Sequence, residues 1–426
     1  MQKVIKSFSI IVIVLFTLSI FGWTVKHIVK GDKKFGKAIT APIKALIDFP
    51  DLFQASVEEV KTLPKTFVKT PENLNPFNDL DKDVKALITY SGKDNERTIE
   101  LLNLKNNESL YKWQVKNPHK PQSRIMDPLL LDNKEIVYSF NGVTGLIKID
   151  STGKEIWRQP HMAHHHSLNL DSAGNIWACA YKRENSLFII YKGKFAIENQ
   201  EFNFIDNTIC KLDPETGEIL FHKSLADIIE ENNLFYLFLK SDNAEDPLHL
   251  NDVEPALTTT EFYNEGDLFI SLRNLSCVLH YRPSTNEIIE VIEGPFYVQH
   301  DVDILTDSTI SIFNNNSHTI WQSTSKNWKV ADSQKDYGTF YSSIVGYNLR
   351  TKEYFNIASE SFVENEIFTH TEGKAEHMPD GSIFVEEQNS GLIWVIKDDK
   401  AIYKDVFKSQ HEGYHHLPNW TRIIVD

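Results

Sequence analysis

A hairpin that recurs six times is the feature that most restricts what this chain can fold into. Each copy reads as an apolar strand, a polar turn and a second strand that often ends in an aromatic residue. The clearest copies are GLIKIDSTGKEIW (Gly145 to Trp157), TICKLDPETGEILF (Thr208 to Phe221) and SCVLHYRPSTNEIIE (Ser276 to Glu290). Weaker ones are TIELLNLKNNESLYKW (Thr98 to Trp113), SIVGYNLRTKEYF (Ser343 to Phe355) and GLIWVIKDDKAIYK (Gly391 to Lys404). A single hairpin is marginal in water, so these units must pack on one another. Repeats at intervals of about 45 to 70 residues, each long enough for four strands, are the signature of a β-propeller.

Between successive hairpins lies a second strand pair, beginning near Asp127, His165, His249, Gln299 and Glu376. Five such pairs leave one blade short. The missing strands are available at the two ends: Val84 to Tyr90 (VKALITY) and the C-terminal NWTRIIVD. Pairing them closes the ring and removes the free sheet edge that invites aggregation. The expected fold is all-β, a six-bladed β-propeller over residues 80–426, closed by strands from both termini.

Upstream the character changes. Phe8 to Val25 is an uncharged apolar run preceded by Lys3 and Lys6, long enough to cross a bilayer. No small-x-small cleavage site follows it, because Trp23 occupies that place, so residues 1–30 are expected to be a transmembrane helix acting as an uncleaved signal anchor. Lysines after Val25 favour a cytoplasmic C-terminal bulk. The short basic N-terminus favours export, with the domain facing the periplasm or cell exterior. Residues 31–79, broken by Pro42, Pro50 and Pro64, predict a linker of short helices.

Composition narrows the partners. With 426 residues, 41% of them hydrophobic, the chain can bury a large core, and a formal charge of -15 excludes a phosphate-backbone reader. Cys179, Cys210 and Cys277 are too few and too scattered for a disulfide framework or a CxxC metal site. Chemistry is instead concentrated where the inner strands begin. Those heads carry His165 and His166, His249 and Asn251, His300 and Asp301, and Glu376 and His377, while His415 and His416 precede the closing strand. One histidine at a strand head is ordinary. Several in one ring place many polar groups in a poorly solvated channel, where they need partners or a ligand.

The motifs HH-x-L-x-L-x-x-x-GN from His165, H-x-N-D-V from His249, D-L-F-I-S-L-R-N from Asp267 and G-P-F-x-x-Q-H-D ending at Asp301 occur in this order. Together they resemble the arylsulfate sulfotransferase (ASST-like) family, over roughly His164 to Asn316. The resemblance implies a propeller enzyme that moves a sulfuryl group from an aryl sulfate donor to a phenolic acceptor through a sulfated histidine, with neither a nucleotide sulfate donor nor any other cofactor. His300 resembles the nucleophile. His249, Arg273 and one of His165 and His166 resemble the groups that hold the sulfuryl oxygens, and Asn251 resembles the family asparagine two positions after His249.

These residue types suit that reaction. Neutral imidazole is a nucleophile near neutral pH and leaves well once sulfated. Arginine presents a fixed fork of donors to a charged tetrahedral group. Asp301 is a candidate to orient the His300 ring, and Phe296, Tyr297, Trp321 and Trp420 either contact a phenol or pack between blades. Two other functions stay open on the residues alone. One is a non-catalytic, membrane-tethered scaffold or ligand-binding propeller. The other is a zinc or copper site on His164 to His166, His249 and His300, which leaves Arg273 as an unhelpful neighbouring cation.

Overall fold

The computed structural model describes residues 12–25, 36, 39–40, 42–43, 63–92, 95–182, 192–197, 200–317 and 341–425. The chain divides into two compact units, Met1–Pro64 and Lys65–Asp426.

In the first unit residues 12–25 are helical. Among the described residues no helix is long and apolar enough to cross a membrane. Much of the expected helical linker lies outside the described residues.

The second unit starts upstream of the expected boundary at Leu80. Phe67–Lys69 pairs with Tyr414–His416, and Phe77–Asn78 adds a fifth strand to the last blade. This end of the linker is therefore extended rather than helical. Its backbone amides and carbonyls find partners on the propeller.

Six antiparallel sheets follow, each with its strands in radial order. Blade 1 is Arg422–Ile424, Lys85–Ser91, Arg97–Asn103 and Glu108–Val115, so its first strand comes from the C-terminus and the other three from the N-terminal side. Arg422 lies opposite Leu87 and Ile424 opposite Lys85, the closure expected from the two unpaired termini. The first strands of blades 2 to 6 are Leu129–Leu130, Met162–Leu170, Leu250–Pro255, His300–Thr306 and Lys374–His377. All six repeated hairpins form the two outer strands of their blades. Blade 3 also carries an inserted hairpin, Lys192–Ile197 with Gln200–Ile205.

Period-two alternation explains the packing. Every blade is covered on both faces, so successive residues of one strand belong to different cores. In blade 1 Leu87 joins Ile136, Ile147 and Ile149 of blade 2, whereas Ala86 and Ile88 join Phe384, Ile393 and Val395 of blade 6. Comparable apolar clusters fill the other four junctions. Turn chemistry ends the hairpins: Asp150 Oδ1 accepts from the amides of Thr152 and Lys154, and Gly153 takes φ +86°, where a side chain would be strained.

Neighbouring blades are tied near their first strands by side chains that accept a backbone amide from the next blade. Asp127 accepts from Leu168, Ser167 from Val253, Asp252 from Val302, Asp301 from Ala375, and Glu386 from both Trp420 and Thr421. Asp127 also holds the closing strand, through Arg422 Nη2 at 2.6 Å, and blade 6, through Lys374 Nζ at 2.9 Å. These links fix the heads of the first strands, where the candidate site lies.

Candidate active site

Bulges aim the rim. The strand Met162–Leu170 slips register between His165 and Leu168, with His166 at φ +55°, and His300–Thr306 slips between His300 and Val302, with Asp301 at φ +49°. Leu250–Pro255 slips between Leu250 and Asp252, and His249 just before it has φ +48°. A bulge bends its strand and redirects a side chain, and non-glycine residues at positive φ persist only where surrounding packing holds them.

The three bulged heads bring His166, His249 and His300 together. The His166 ring centroid is 5.5 Å from that of His249 and 5.9 Å from that of His300. One ring nitrogen from each of the three lies within 4.8 Å of the other two. Trp420 packs edge-on against His166 and His300, at 5.5 and 6.1 Å.

Each ring has its Nδ1 engaged. Asn315 Oδ1 faces His300 Nδ1 at 2.6 Å, and the Asn315 amide nitrogen donates to Thr369 O at 2.8 Å. With the amide nitrogen committed, Asn315 offers an acceptor, so His300 Nδ1 carries the proton and Nε2 keeps its lone pair. Asp246 Oδ2 sits 2.6 Å from His249 Nδ1 and fixes that ring in the same sense. His166 Nδ1 lies 2.8 Å from His165 Nδ1, so one donates to the other.

Of the paired histidines, it is therefore His166 that faces the others. His165 sits behind it, stacked on Tyr181 at 4.0 Å between centroids. Arg273 follows the strand Leu268–Leu272 in a single 3-10 turn, and its amide donates to His249 O at 3.1 Å, which fastens it beside that histidine. Its guanidinium donates to Asn274 Oδ1 at 2.7 Å. Asn251 Nδ2 donates to Gln299 O at 2.7 Å and so holds the backbone just before His300.

Burial decides the protonation. His300 is 1% exposed, and its pKa lies well below the ordinary histidine value because of desolvation first and the Arg273 charge second. His166 is lowered in the same way by burial and by His165, while burial and His249 bring His165 down to about 3. Burial works against ionisation of Asp246, yet the hydrogen bond and charge of His249 leave its pKa below the ordinary carboxylate value. Neutral imidazole at His300 thus sits beside a fixed cation and a histidine hydrogen-bonded to a carboxylate.

Several expected members of the rim lie elsewhere. Asp301 does not orient His300, because its carboxylate is used on the Ala375 amide of the next blade. His377 ends its strand opposite Ile383, at the far end from Lys374. His415 bonds Thr70 and Ser390, and His416 packs on Phe67 and Tyr90, both on a strand outside the blades. Phe296 belongs to the core between blades 4 and 5, Tyr297 is 37% exposed and within electrostatic reach of Arg273, and Trp321 lies outside the described residues. Asp246 and Asn315 escaped notice in the sequence. Their only signals there are an aspartate three residues before His249 and the asparagine run that ends the strand after His300.

Fold and rim together define a six-bladed propeller with a cluster of histidines at the heads of the first strands of blades 3 to 5 and an arginine after the second strand of blade 4. The family model for arylsulfotransferase (ASST) matches residues 127–408, and the chain belongs to this family. No curated protein matches the chain. Among solved structures it is similar to a protein of unknown function from Bacteroides caccae, with 11% identity and a TM-score of 0.49 over 80% of this chain and 100% of that one. It is also similar to virginiamycin B lyase from Staphylococcus aureus, with 10% identity and a TM-score of 0.40 over 83% and 99% of the two chains.

Proposed function

We propose that the protein is an arylsulfotransferase that moves a sulfuryl group from an aryl sulfate to a phenol by way of a sulfohistidine on His300. The observation that carries this reading is the Asn315 contact, which commits His300 Nδ1 as a donor and leaves Nε2 as a lone pair among His166, His249 and Arg273.

In the first half-reaction the Nε2 lone pair forms an N–S bond while the S–O(aryl) bond breaks. The departing phenolate takes a proton from His249, whose cationic form Asp246 supports. Arg273 and His166 hold the sulfuryl oxygens as charge develops on them. In the second half-reaction an acceptor phenol gives its proton to His249 and attacks sulfur, and the N–S bond breaks to restore His300. Small aryl sulfates and phenols are the substrates this implies. The apolar run near the N-terminus supports a membrane-tethered enzyme facing the periplasm or cell exterior, which protease accessibility in spheroplasts tests.

The test is to incubate the full chain with a chromogenic aryl sulfate, with and without a phenol. Ping-pong kinetics are expected. An acid-labile sulfo adduct should accumulate on the peptide Tyr297 to Asp303 when acceptor is withheld. An adduct on His249 or His166 would place the nucleophile elsewhere in the same cluster.

A further inference from the structure

The rim has a second chemical reading that sulfuryl transfer does not use. Three imidazoles from three blades approach one point, with a ring nitrogen of each within 4.8 Å of the others. Each has its Nδ1 held by a separate group: Asp246 Oδ2 for His249, Asn315 Oδ1 for His300 and His165 Nδ1 for His166. Histidine ligands to zinc typically have a carboxylate or carbonyl oxygen behind the ring that fixes the tautomer and turns the other nitrogen toward the metal, and Asp246 and Asn315 fill that place for His249 and His300.

We infer that His166, His249 and His300 form a three-nitrogen site for a late first-row divalent cation, zinc above all, that is mutually exclusive with the sulfuryl group. Three histidines with an open fourth position suit tetrahedral zinc. Tetrahedral Zn–N bonds of about 2.0 Å place nitrogens about 3.3 Å apart, so nitrogens within 4.8 Å of one another need to move inward by at most roughly 0.9 Å each.

Arg273 opposes a second cation. Asp246 offsets it in part, since it acts on the guanidinium and touches His249, whereas Glu372, which also acts on Arg273, is already paired with Arg124. The cation takes the Nε2 lone pair that His300 needs for attack, so a loaded site cannot transfer sulfuryl groups. Coordination stands on the geometry alone, whereas mutual exclusion rests on the proposed reaction.

The experiment titrates the full chain, freed of metal by a chelator, with Co²⁺ and reads the visible d–d bands, in which four-coordinate cobalt absorbs far more strongly than the hydrated ion. One equivalent should give the strong bands, and Zn²⁺ should displace it. His249→Gln and His166→Gln should abolish them, the exposed His161→Gln should not, and Asp246→Asn should weaken binding by 10- to 100-fold, as loss of an outer partner does. In wild type, Zn²⁺ should inhibit aryl sulfate turnover at the concentration that displaces cobalt. A rise in thermal midpoint with Zn²⁺ gives a readout that needs no variant. Weak octahedral bands only, or strong bands that survive both histidine changes, would overturn the site. Zinc that binds at the histidines yet leaves turnover unchanged or raises it would overturn exclusion. Cobalt binding at the histidines without any aryl transfer would keep the site and remove the catalytic reading, and transfer without cobalt binding would do the reverse.

Discussion

The histidine rim and the carboxylates next to it occupy the same first strands, often in adjacent positions, yet they are finished differently. His300 is followed by Asp301, and Asn251 by Asp252. Burial pushes both sets toward neutrality, lowering His166 and His300 and raising Asp301 and Asp303. The clasping carboxylates spend their oxygens on backbone: Asp252 accepts from Val302 and Val253, and Glu386 from Trp420 and Thr421. The rim histidines instead commit Nδ1 to side chains, His300 to Asn315, His249 to Asp246 and His166 to His165, and bring their rings together.

The largest effect expected from that contrast is at His300. His300→Ala should lower transfer by about 10⁴-fold or more with unfolding little changed, as removal of a nucleophile does. Asp301→Ala should instead reduce stability, by loss of its clasp, without changing which residue is sulfated. Peptide mapping and denaturant titration of the two variants separate these outcomes.

Stability tests the structural side. Asp127→Ala leaves Lys374 and Arg422 buried without their shared carboxylate. Breaking such a pair costs about 3 to 5 kcal/mol, visible as a lower urea midpoint, and most of the cost should appear as opening of the blade closed by the C-terminal strand.

Next come the groups that assist His300. Arg273→Ala should slow transfer by roughly 10² to 10³, because it removes a donor to charge that develops in the transition state. Asn315→Ala should lower kcat by about 10- to 100-fold with KM nearly constant, since Asn315 sets the tautomer of His300 and touches no substrate. A matching rise in KM would show that Asn315 contributes to binding instead.

The smallest effect is a pair of opposite pH slopes. His165 is lowered to about 3 by burial and by His249. Below its unfolded value of about 6.5 the unfolded chain takes up a proton that the folded rim refuses, so stability falls as pH drops from 6.5 and is complete above it. Burial raises Glu387 to about 7. Folded protein then holds a proton that the unfolded chain releases near pH 4, so this stability is present at low pH and is lost as pH rises toward 7. Thermal midpoints across pH 4 to 8 should show His165→Gln flattening the acid side and Glu387→Gln flattening the neutral side.

The sequence alone determined the six outer hairpins, because alternation and polar turns are local. It determined the closure too, since Val84 to Tyr90 and the C-terminal strand were the segments without a partner. It also named His249, His300 and the pair His165 and His166, because histidines at strand heads are conspicuous, while Arg273 came from the resemblance of its motif. Tertiary structure alone decided that His166 and not His165 faces the rim, that His377, His415 and His416 stand apart, and that Asn315 and Asp246 hold the His300 and His249 rings. The physical reason is register. A single bulged residue turns a strand's side chains to the other face, and bulges at His166 and Asp301 are set by packing and by clasps to the next blade, which no local pattern encodes.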